Sequence, residues 1–403
     1  MKVIKSAFLL LLISPVSMAW SATTNTSAHV TKAQADNRSQ AVIDSPSNST
    51  SALKFHPKVL LTAGSTSNAT LLNVPTAGPY WKVAPSLSSE FEPTDSLYIS
   101  GTLSGRLKRF SEQTVGDLAN ETAADAGADF MWFISDAWET GGHMWFSYLE
   151  NRIPVIGVDR TSAIFQRYIQ PEGRLYGAWA GESLSVEVGA GGASRRYSTT
   201  TFDLVGNIYR NSYTEARGDV KLGYQWTDDL RMHFTAKADR RMYDERMAEF
   251  SDGLPAPIGE VHPRLSVFGL ENELSLKVGM KYLEWTPALS FRLEKDEVFG
   301  ARDSSLWKIR QKAAVSLPLN LTFEPEISLA RQDFANFSSD PLGDPRNSPL
   351  REDWDAQAVA AVKFTISREF VAQAQYAFNK KLSNYTLARY TEHAVETGMN
   401  IQF

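Results

Sequence analysis

The chain ends in a segment in which apolar and polar side chains alternate without a break. One set of alternate positions holds Val395, Thr397, Met399, Ile401 and Phe403, and the other set holds Glu396, Gly398, Asn400 and Gln402. Because successive side chains of a β-strand point to opposite faces of a sheet, this pattern predicts a strand with one apolar and one polar face. The same alternation recurs along the chain from Phe55 onward, which restricts the fold to sheets that bury one apolar surface.

The alternating runs are joined by short turns and long polar connections in succession. The clearest pair runs from Trp354 to Ser367 and from Phe370 to Asn379, with only Arg368 and Glu369 between its strongest patterns. Other predicted tight turns lie at residues 93–94, 227–229, 283–284 and 318–320. Longer connections are predicted at residues 67–78, 111–123, 197–213, 242–271, 297–304, 335–352 and 380–391. Short turns that alternate with long loops indicate a succession of antiparallel hairpins.

The polar face of these strands is too highly charged to lie in a dry core. Apolar sets such as Leu230, Met232 and Phe234 alternate with charged sets such as Arg231, His233 and Lys237. An unpaired charge cannot be placed in hydrocarbon, so the charged face must meet water. The chain has no Cys to staple it, and its mean hydropathy is -0.28. A membrane protein of negative hydropathy is natural for a barrel, because only alternate residues face lipid.

The terminal segment from Glu396 to Phe403 resembles the closing strand of bacterial outer-membrane β-barrels. The resemblance covers residues 55 to 403 and implies an all-β fold, a closed antiparallel transmembrane β-barrel. By the turn and loop pattern it has about sixteen strands, within a range of fourteen to eighteen. It also implies that Gly398, Ile401 and Phe403 form the signal that the barrel-assembly machinery reads. The expected surroundings are outer-membrane lipid and lipopolysaccharide of a Gram-negative cell, with both chain termini in the periplasm.

The N-terminal residues predict export of the chain. Lys2 and Lys5 precede a short apolar run that ends at Ser14-Pro15, and Ala19 follows a small residue at position 17. This pattern is typical of a cleaved signal peptide at residues 1–19. Residues 20–54 are polar and hold almost no large apolar side chains, so we expect a flexible segment, with a plug inside the barrel as the alternative. The barrel domain then spans residues 55–403.

The inward faces hold the candidate pore-lining residues. On one strand Lys308, Arg310 and Lys312 make three successive positive steps, and Glu324 and Glu326 on the next strand can neutralise them in part. The functional interpretation is a basic wall that attracts anions, and the alternative is a salt-bridged ladder that only keeps strands in register. The full predicted set is Arg231, His233, Lys237, Lys277, Lys281, Arg292, Lys308, Arg310, Lys312, Glu324 and Glu326.

The longest predicted connection, residues 242–271, is a candidate constriction loop. It carries the acidic residues Asp244, Glu245, Glu249, Asp252 and Glu260. A loop that folded inward would set these groups against the basic wall, as the constriction loop of general porins does. Here the loop lies in the second half of the chain, unlike in that family, and an exposed loop is the alternative.

No catalytic or metal-binding constellation stands out. His233 alternates inward without an obvious Ser partner, and His143 and His393 have no second ligand at metal spacing. We therefore predict no enzyme activity, no metal and no cofactor. The formal net charge of -5 argues against nucleic-acid binding.

Three functions are compatible with these residues. The first is a channel for passive diffusion of small polar solutes, anions among them, because side chains alone do not fill a barrel of this size. The second is a plugged or substrate-specific transporter. The third is a non-conducting surface scaffold or adhesin. The sequence does not decide the solute or whether the barrel is a monomer or a trimer.

Overall fold

The computed structural model describes residues 53–68, 77–112, 120–154, 163–198, 201–202, 208–247, 264–298, 300, 303–338, 349–384 and 389–403. The strands are β1 (Lys54–Thr66), β2 (Gly78–Thr94), β3 (Leu97–Phe110), β4 (Glu121–Phe133), β5 (Trp138–Pro154), β6 (Ala163–Ala180), β7 (Leu184–Tyr197), β8 (Thr201–Phe202), β9 (Ile208–Tyr209), β10 (Tyr213–Thr227), β11 (Leu230–Met247), β12 (Arg264–Met280), β13 (Leu283–Asp296), β14 (Ser304–Leu317), β15 (Leu321–Ser338), β16 (Leu350–Thr365), β17 (Phe370–Ser383) and β18 (Tyr390–Gln402). In this part of the chain, no helix has the length and apolar character of a membrane span.

Sixteen of these strands form one closed antiparallel barrel, as predicted. Each barrel strand pairs with its neighbour in the chain, β10 pairs with β7, and β1 closes the sheet against β18. The two short strands β8 and β9 pair with each other within the connection from β7 to β10. Closure pairs both edges of every barrel strand, which satisfies the backbone groups that a membrane would leave without partners.

Short and long connections alternate around the barrel. At one end, which we call the turn end, two to four residues join the strands, at 95–96, 134–137, 181–183, 228–229, 281–282, 318–320 and 366–369. The first residue of β1 and the last residue of β18 lie at this same end. The opposite end, which we call the loop end, holds the longer connections.

The outward face of the barrel is an apolar band. Large side chains such as Met144, Leu175 and Ile327 point outward with 65%, 65% and 61% of their surface exposed. A band of this extent would be untenable in water and is the surface that a membrane covers.

Tryptophans border this apolar band at both strand ends. Trp226 and Trp285 lie beside turns at the turn end, and Trp81, Trp307 and Trp354 lie in the first residues of strands at the loop end. Aromatic girdles at these two levels are typical of the interfaces of a transmembrane barrel.

Some predicted boundaries differ from the observed ones. The turn predicted at 283–284 lies at Lys281–Tyr282, because Met280 pairs with Leu283 and Glu284 is an inward strand residue. The turn predicted at 93–94 lies at 95–96, since β2 continues through Thr94. The predicted loop at 242–271 was too long, because β11 runs to Met247 and β12 begins at Arg264. The first and last of these boundaries were misplaced because charged residues at the strand ends, such as Glu284, Asp244 and Glu245, were taken for turn or loop residues.

Candidate functional site: the inner face of the barrel

The inward side chains of most strands form ion-paired networks. On β13, Arg292 contacts Asp239, Glu271 and Glu294, each at 3.0 Å. On the opposite side of β10, Arg174 contacts Glu187 and Asp219 at 2.5 Å each. Lys221 contacts Glu187 at 2.8 Å. Some of these pairs link neighbouring strands and others, such as Arg292 with Asp239, skip one strand. Together they hold much of the inner wall electrically neutral.

Neither the Arg174 network nor a second cluster, around Asp353, was predicted from the sequence. Asp353 on β16 is buried to 1% exposure and contacts Arg351 at 2.7 Å and Lys381 at 3.3 Å. For the Arg174 network, the available signal was the run of alternating charged residues Arg217, Asp219 and Lys221 in β10. Its partners Arg174 and Glu187 were not found, because the strand boundaries between residues 152 and 215 could not be fixed from the pattern.

Most of the predicted pore-lining residues lie on the inner face. Lys237 lies 4.0 Å from Glu271, Lys277 lies 3.0 Å from Glu284, and Arg310 lies 3.4 Å from Glu273. His233 faces inward opposite Ser275. Lys281 is the exception, because it lies in the turn between β12 and β13, with its Nζ 5.1 Å from the centre of the Tyr282 ring. It remains a proposal that these inward residues line a conducting pore.

The two predicted acidic partners of the basic wall have different roles. Glu324 contacts Lys363 on β16 at 2.8 Å rather than a cation of β14. Glu326 is paired in register with Lys312, but the two charged groups are beyond ion-pair distance. The ladder of salt bridges that could have explained Lys308, Arg310 and Lys312 as register keys is therefore absent between β14 and β15 in the described residues.

Lys308 and Lys312 lack a carboxylate partner. In the strands and turns that the structure describes, neither ammonium group lies within ion-pair distance of an acidic side chain. Lys308 is half-buried and Lys312 is exposed, both alternating with the outward residues Trp307, Ile309 and Gln311. At Lys308 and Lys312, β14 therefore carries positive charge into the interior of the barrel that no ion pair of the described residues neutralises.

Further cations lie across the sheet from this stretch. Arg231 on β11 is the direct partner of Lys277 on β12. Lys312 on β14 is the partner of Thr286 on β13, and Lys277 falls opposite the same threonine by the register of β12 and β13. We call this set the basic patch, and it consists of Arg231, His233, Lys277, Lys308, Arg310 and Lys312.

The predicted acidic constriction is not assembled by the described residues. Asp244 and Glu245 lie in β11, where Asp244 is ion-paired with Arg196 and Glu245 accepts a hydrogen bond from the backbone N–H of Arg210 at 2.8 Å. These two residues therefore belong to the wall near the loop end and not to a loop. Glu249, Asp252 and Glu260 lie outside the described residues.

The residues of the predicted assembly signal close the barrel seam. Gly398 pairs with Thr62 of β1, and Ile401 pairs with Val59 of β1 and with Phe370 of β17. Phe403 follows β18, donates its backbone N–H to Pro57 at 3.0 Å and exposes 76% of its surface. Their recognition by an assembly machinery stays a prediction.

No group of three His, Asp or Glu side chains in the described ranges is arranged to hold a metal ion. His143 instead binds Asp129 at 2.6 Å through Nδ1 and stacks on Trp145 with ring centres 5.7 Å apart. The contact positions both rings against the wall of β4 and β5.

Comparison with known proteins identifies no family. No family model matches the chain, and no curated protein matches it. Solved structures with a similar course of the chain include OmpT, an outer membrane protein of Vibrio cholerae, at 8% identity and a TM-score of 0.49, covering 89% of this chain and 99% of that one. OccAB3 of Acinetobacter baumannii has 9% identity and a TM-score of 0.47, covering 87% and 99%. An anion-selective porin from Comamonas acidovorans has 11% identity and a TM-score of 0.44, covering 88% and 100%.

Proposed function

We propose that this protein is an outer-membrane channel for the passive diffusion of small polar solutes, with a preference for anions. The observation that carries the preference is the uncompensated charge of Lys308 and Lys312 on the inner face of a closed barrel. Sixteen strands enclose more space than inward side chains fill, so a water-filled passage is expected. In the membrane, the loop end faces outward and both chain termini face the periplasm.

The size of the preference follows from the dielectric of a wet passage. A unit charge about 4 Å from another gains about 1 kcal/mol in bulk water. Contact with one unpaired ammonium group therefore enriches anions locally about fivefold, since about 1.4 kcal/mol corresponds to a factor of ten. Salt screens this field, so the preference should weaken as ionic strength rises. Glu326, Asp125 and Glu90 face the interior from β15, β4 and β2 without an ion pair in the described residues, and they reduce the net effect.

Single-channel recording of the refolded full chain in a planar bilayer tests the proposal. Under a salt gradient the reversal potential of the wild type should indicate anion preference. The double variant K308E/K312E should shift that potential toward cation preference. K295E/K380E is the matched control, because it changes the net charge equally on outward-facing lysines, and its reversal potential should match that of the wild type.

A barrel that is folded but silent would refute the open channel. The plugged transporter would then be tested by deleting residues 20–54, which should raise conductance sharply if they occlude the passage. A barrel still silent after that deletion would favour the scaffold or adhesin. A conducting barrel whose potential does not respond to K308E/K312E would refute the role of the basic patch.

The proposal includes the environment of the barrel. Its apolar band is covered by outer-membrane lipid, and its loop end is in contact with lipopolysaccharide. The barrel-assembly machinery inserts it through Gly398, Ile401 and Phe403.

A further inference from the structure

The basic patch has the form of a trough with cations on both sides. Its floor is the inner face of β13, where Thr286, Ala288 and Ser290 are all small. Arg231 and Lys277 lie on one side of the floor, and Lys308, Arg310 and Lys312 lie on the other. Neighbouring strands are about 4.8 Å apart, so Lys277 and Lys312 are anchored about 10 Å apart, within reach of one small ion between their long side chains.

Several donors in this trough are not used by the protein. Lys308 and Lys312 have no acidic partner in the described residues. The Nε of Arg231 is buried and has no hydrogen-bond partner there. A buried donor without a partner costs free energy unless a ligand, ion or water satisfies it.

The register also sets like charges against one another. Arg231 and Lys277 are direct partners across β11 and β12, an arrangement that destabilises a sheet unless an anion lies close by. Glu284 supplies one such charge to Lys277 at 3.0 Å. Arg310 crosses β13 to reach Glu273, but the 3.4 Å contact is long for a charge-assisted hydrogen bond. Glu326 lies opposite Lys312 in register but beyond ion-pair distance. The carboxylates at the trough therefore compensate its positive charge only in part.

We propose that the basic patch is a saturable binding site for a compact, doubly charged oxyanion of the phosphate and sulfate class. This inference rests on the proposed channel and names the solute class that the channel handles best. A tetrahedral dianion presents several oxygens at once, so it accepts hydrogen bonds from both sides of the trough. Chloride offers one charge and no fixed directions, and water screens it strongly in the passage. The site therefore holds dianions and lets monovalent anions pass.

Titration of the chloride current with inorganic phosphate tests the site. The full chain is recorded in a planar bilayer at neutral pH and constant ionic strength, with sulfate and nitrate as comparison anions. Phosphate and sulfate should reduce the chloride current along a saturating curve, and nitrate should not. K308Q/K312Q should raise the half-blocking phosphate concentration about tenfold.

A matched variant and an equilibrium measurement separate the possible failures. K54Q/K58Q also removes two inward cations without an ion pair in the described residues, near the turn end of β1 and outside the basic patch, and should leave the half-blocking concentration within about twofold. Calorimetric titration of the detergent-folded barrel with phosphate measures phosphate binding directly, even if the barrel does not conduct. Absence of saturation in both measurements would overturn the site while an anion-selective reversal potential upheld the channel. Phosphate binding by a silent barrel would uphold the site and refute the channel.

Discussion

Glycine is required at some strand positions of this barrel and replaceable at others. A Cβ at Gly127 of β4 would overlap the indole ring of Trp145, which lies across it from β5. A Cβ at Gly177 of β6 would meet no heavy atom within 4 Å. The two positions therefore form a natural pair for testing how the inward tryptophan is seated.

We expect Gly127→Ala to destabilise the barrel by about 1–3 kcal/mol, because overpacking forces Trp145 off its position. Gly177→Ala should change the free energy of unfolding by less than about 0.5 kcal/mol. Equilibrium urea unfolding in phospholipid vesicles measures both values. Equal effects of the two substitutions would show that the contact with Trp145 has no energetic weight.

The turn between β14 and β15 contains a strained residue. Leu319 has a φ of 62° and Asn320 a φ of 58°, in the left-handed region that a leucine rarely adopts. Because Leu319 exposes 80% of its surface, little packing is lost on substitution. Leu319→Asn should therefore stabilise the barrel by about 1 kcal/mol, since asparagine tolerates this conformation.

Ile366 offers the matched control for that prediction. It is an exposed apolar residue at another tight turn, and its φ is not positive. Ile366→Asn should bring no gain in the same urea titration. A gain of equal size at both turns would mean that removing surface hydrophobicity, and not strain, is what stabilises the folded state.

At the scale of elements, the seam between β1 and β18 decides whether the sheet becomes a barrel. Gly398 lies on the inner face of this seam, and a Cβ there would collide with the carbonyl oxygen of Leu61 and lie 3.0 Å from the Oγ1 of Thr62. The side chain of a larger residue would hold the two strands apart. Gly398 is thus a steric requirement of closure, whatever else recognises this strand.

We expect Gly398→Val to lower the fraction of chains that refold into a barrel by more than half. The folded fraction is measured on gels, where an unheated barrel migrates as a compact species that heating unfolds. The experiment uses urea-unfolded chain and lipid vesicles alone, so that recognition by other proteins has no influence. Thr397→Val is the control on the same strand, because its side chain points outward into the apolar band. Normal refolding of Gly398→Val would refute the steric requirement.

Strand identity could be predicted from this sequence more easily than strand ends. Period-2 alternation survives wherever one face meets lipid, which is why a closed antiparallel barrel of about sixteen strands was expected. The ends were misplaced where an inward charge such as Glu284 resembled a turn residue. Asp244 and Glu245 were assigned to a loop because two successive charged residues break the alternation of apolar and polar side chains, although both continue β11.

The pairing of inward charges could not be predicted at all. Alternation places Lys308, Arg310 and Lys312 on one face, but which acids they meet depends on register and on side-chain reach. Glu324 contacts Lys363 on β16, the neighbouring strand on its other side, and Arg310 reaches over β13 to Glu273 on β12. Contacts that skip a strand have no signature in the spacing of residues along one strand.

At the scale of the whole molecule, the two ends of the barrel differ in what they can accommodate. Turns of two to four residues leave no freedom at the turn end, where the strand pairs fix the chain. At the loop end the connections are longer, and ion pairs such as Arg196 with Asp244 and Arg240 with Glu297 lie on the outward side of the wall. Such pairs belong beyond the hydrocarbon, at the level of the lipid headgroups.

The closed ladder has a consequence for how natural variation can act on this protein. The diameter of a β-barrel is set by the number of its strands and by their stagger, and both are integers. The diameter therefore cannot change gradually. Substitutions in the strands can change only the side chains that line the interior. The basic patch, carried on β11, β12 and β14, can therefore be exchanged without altering the width of the barrel. A new permeant preference needs a few substitutions and no new fold.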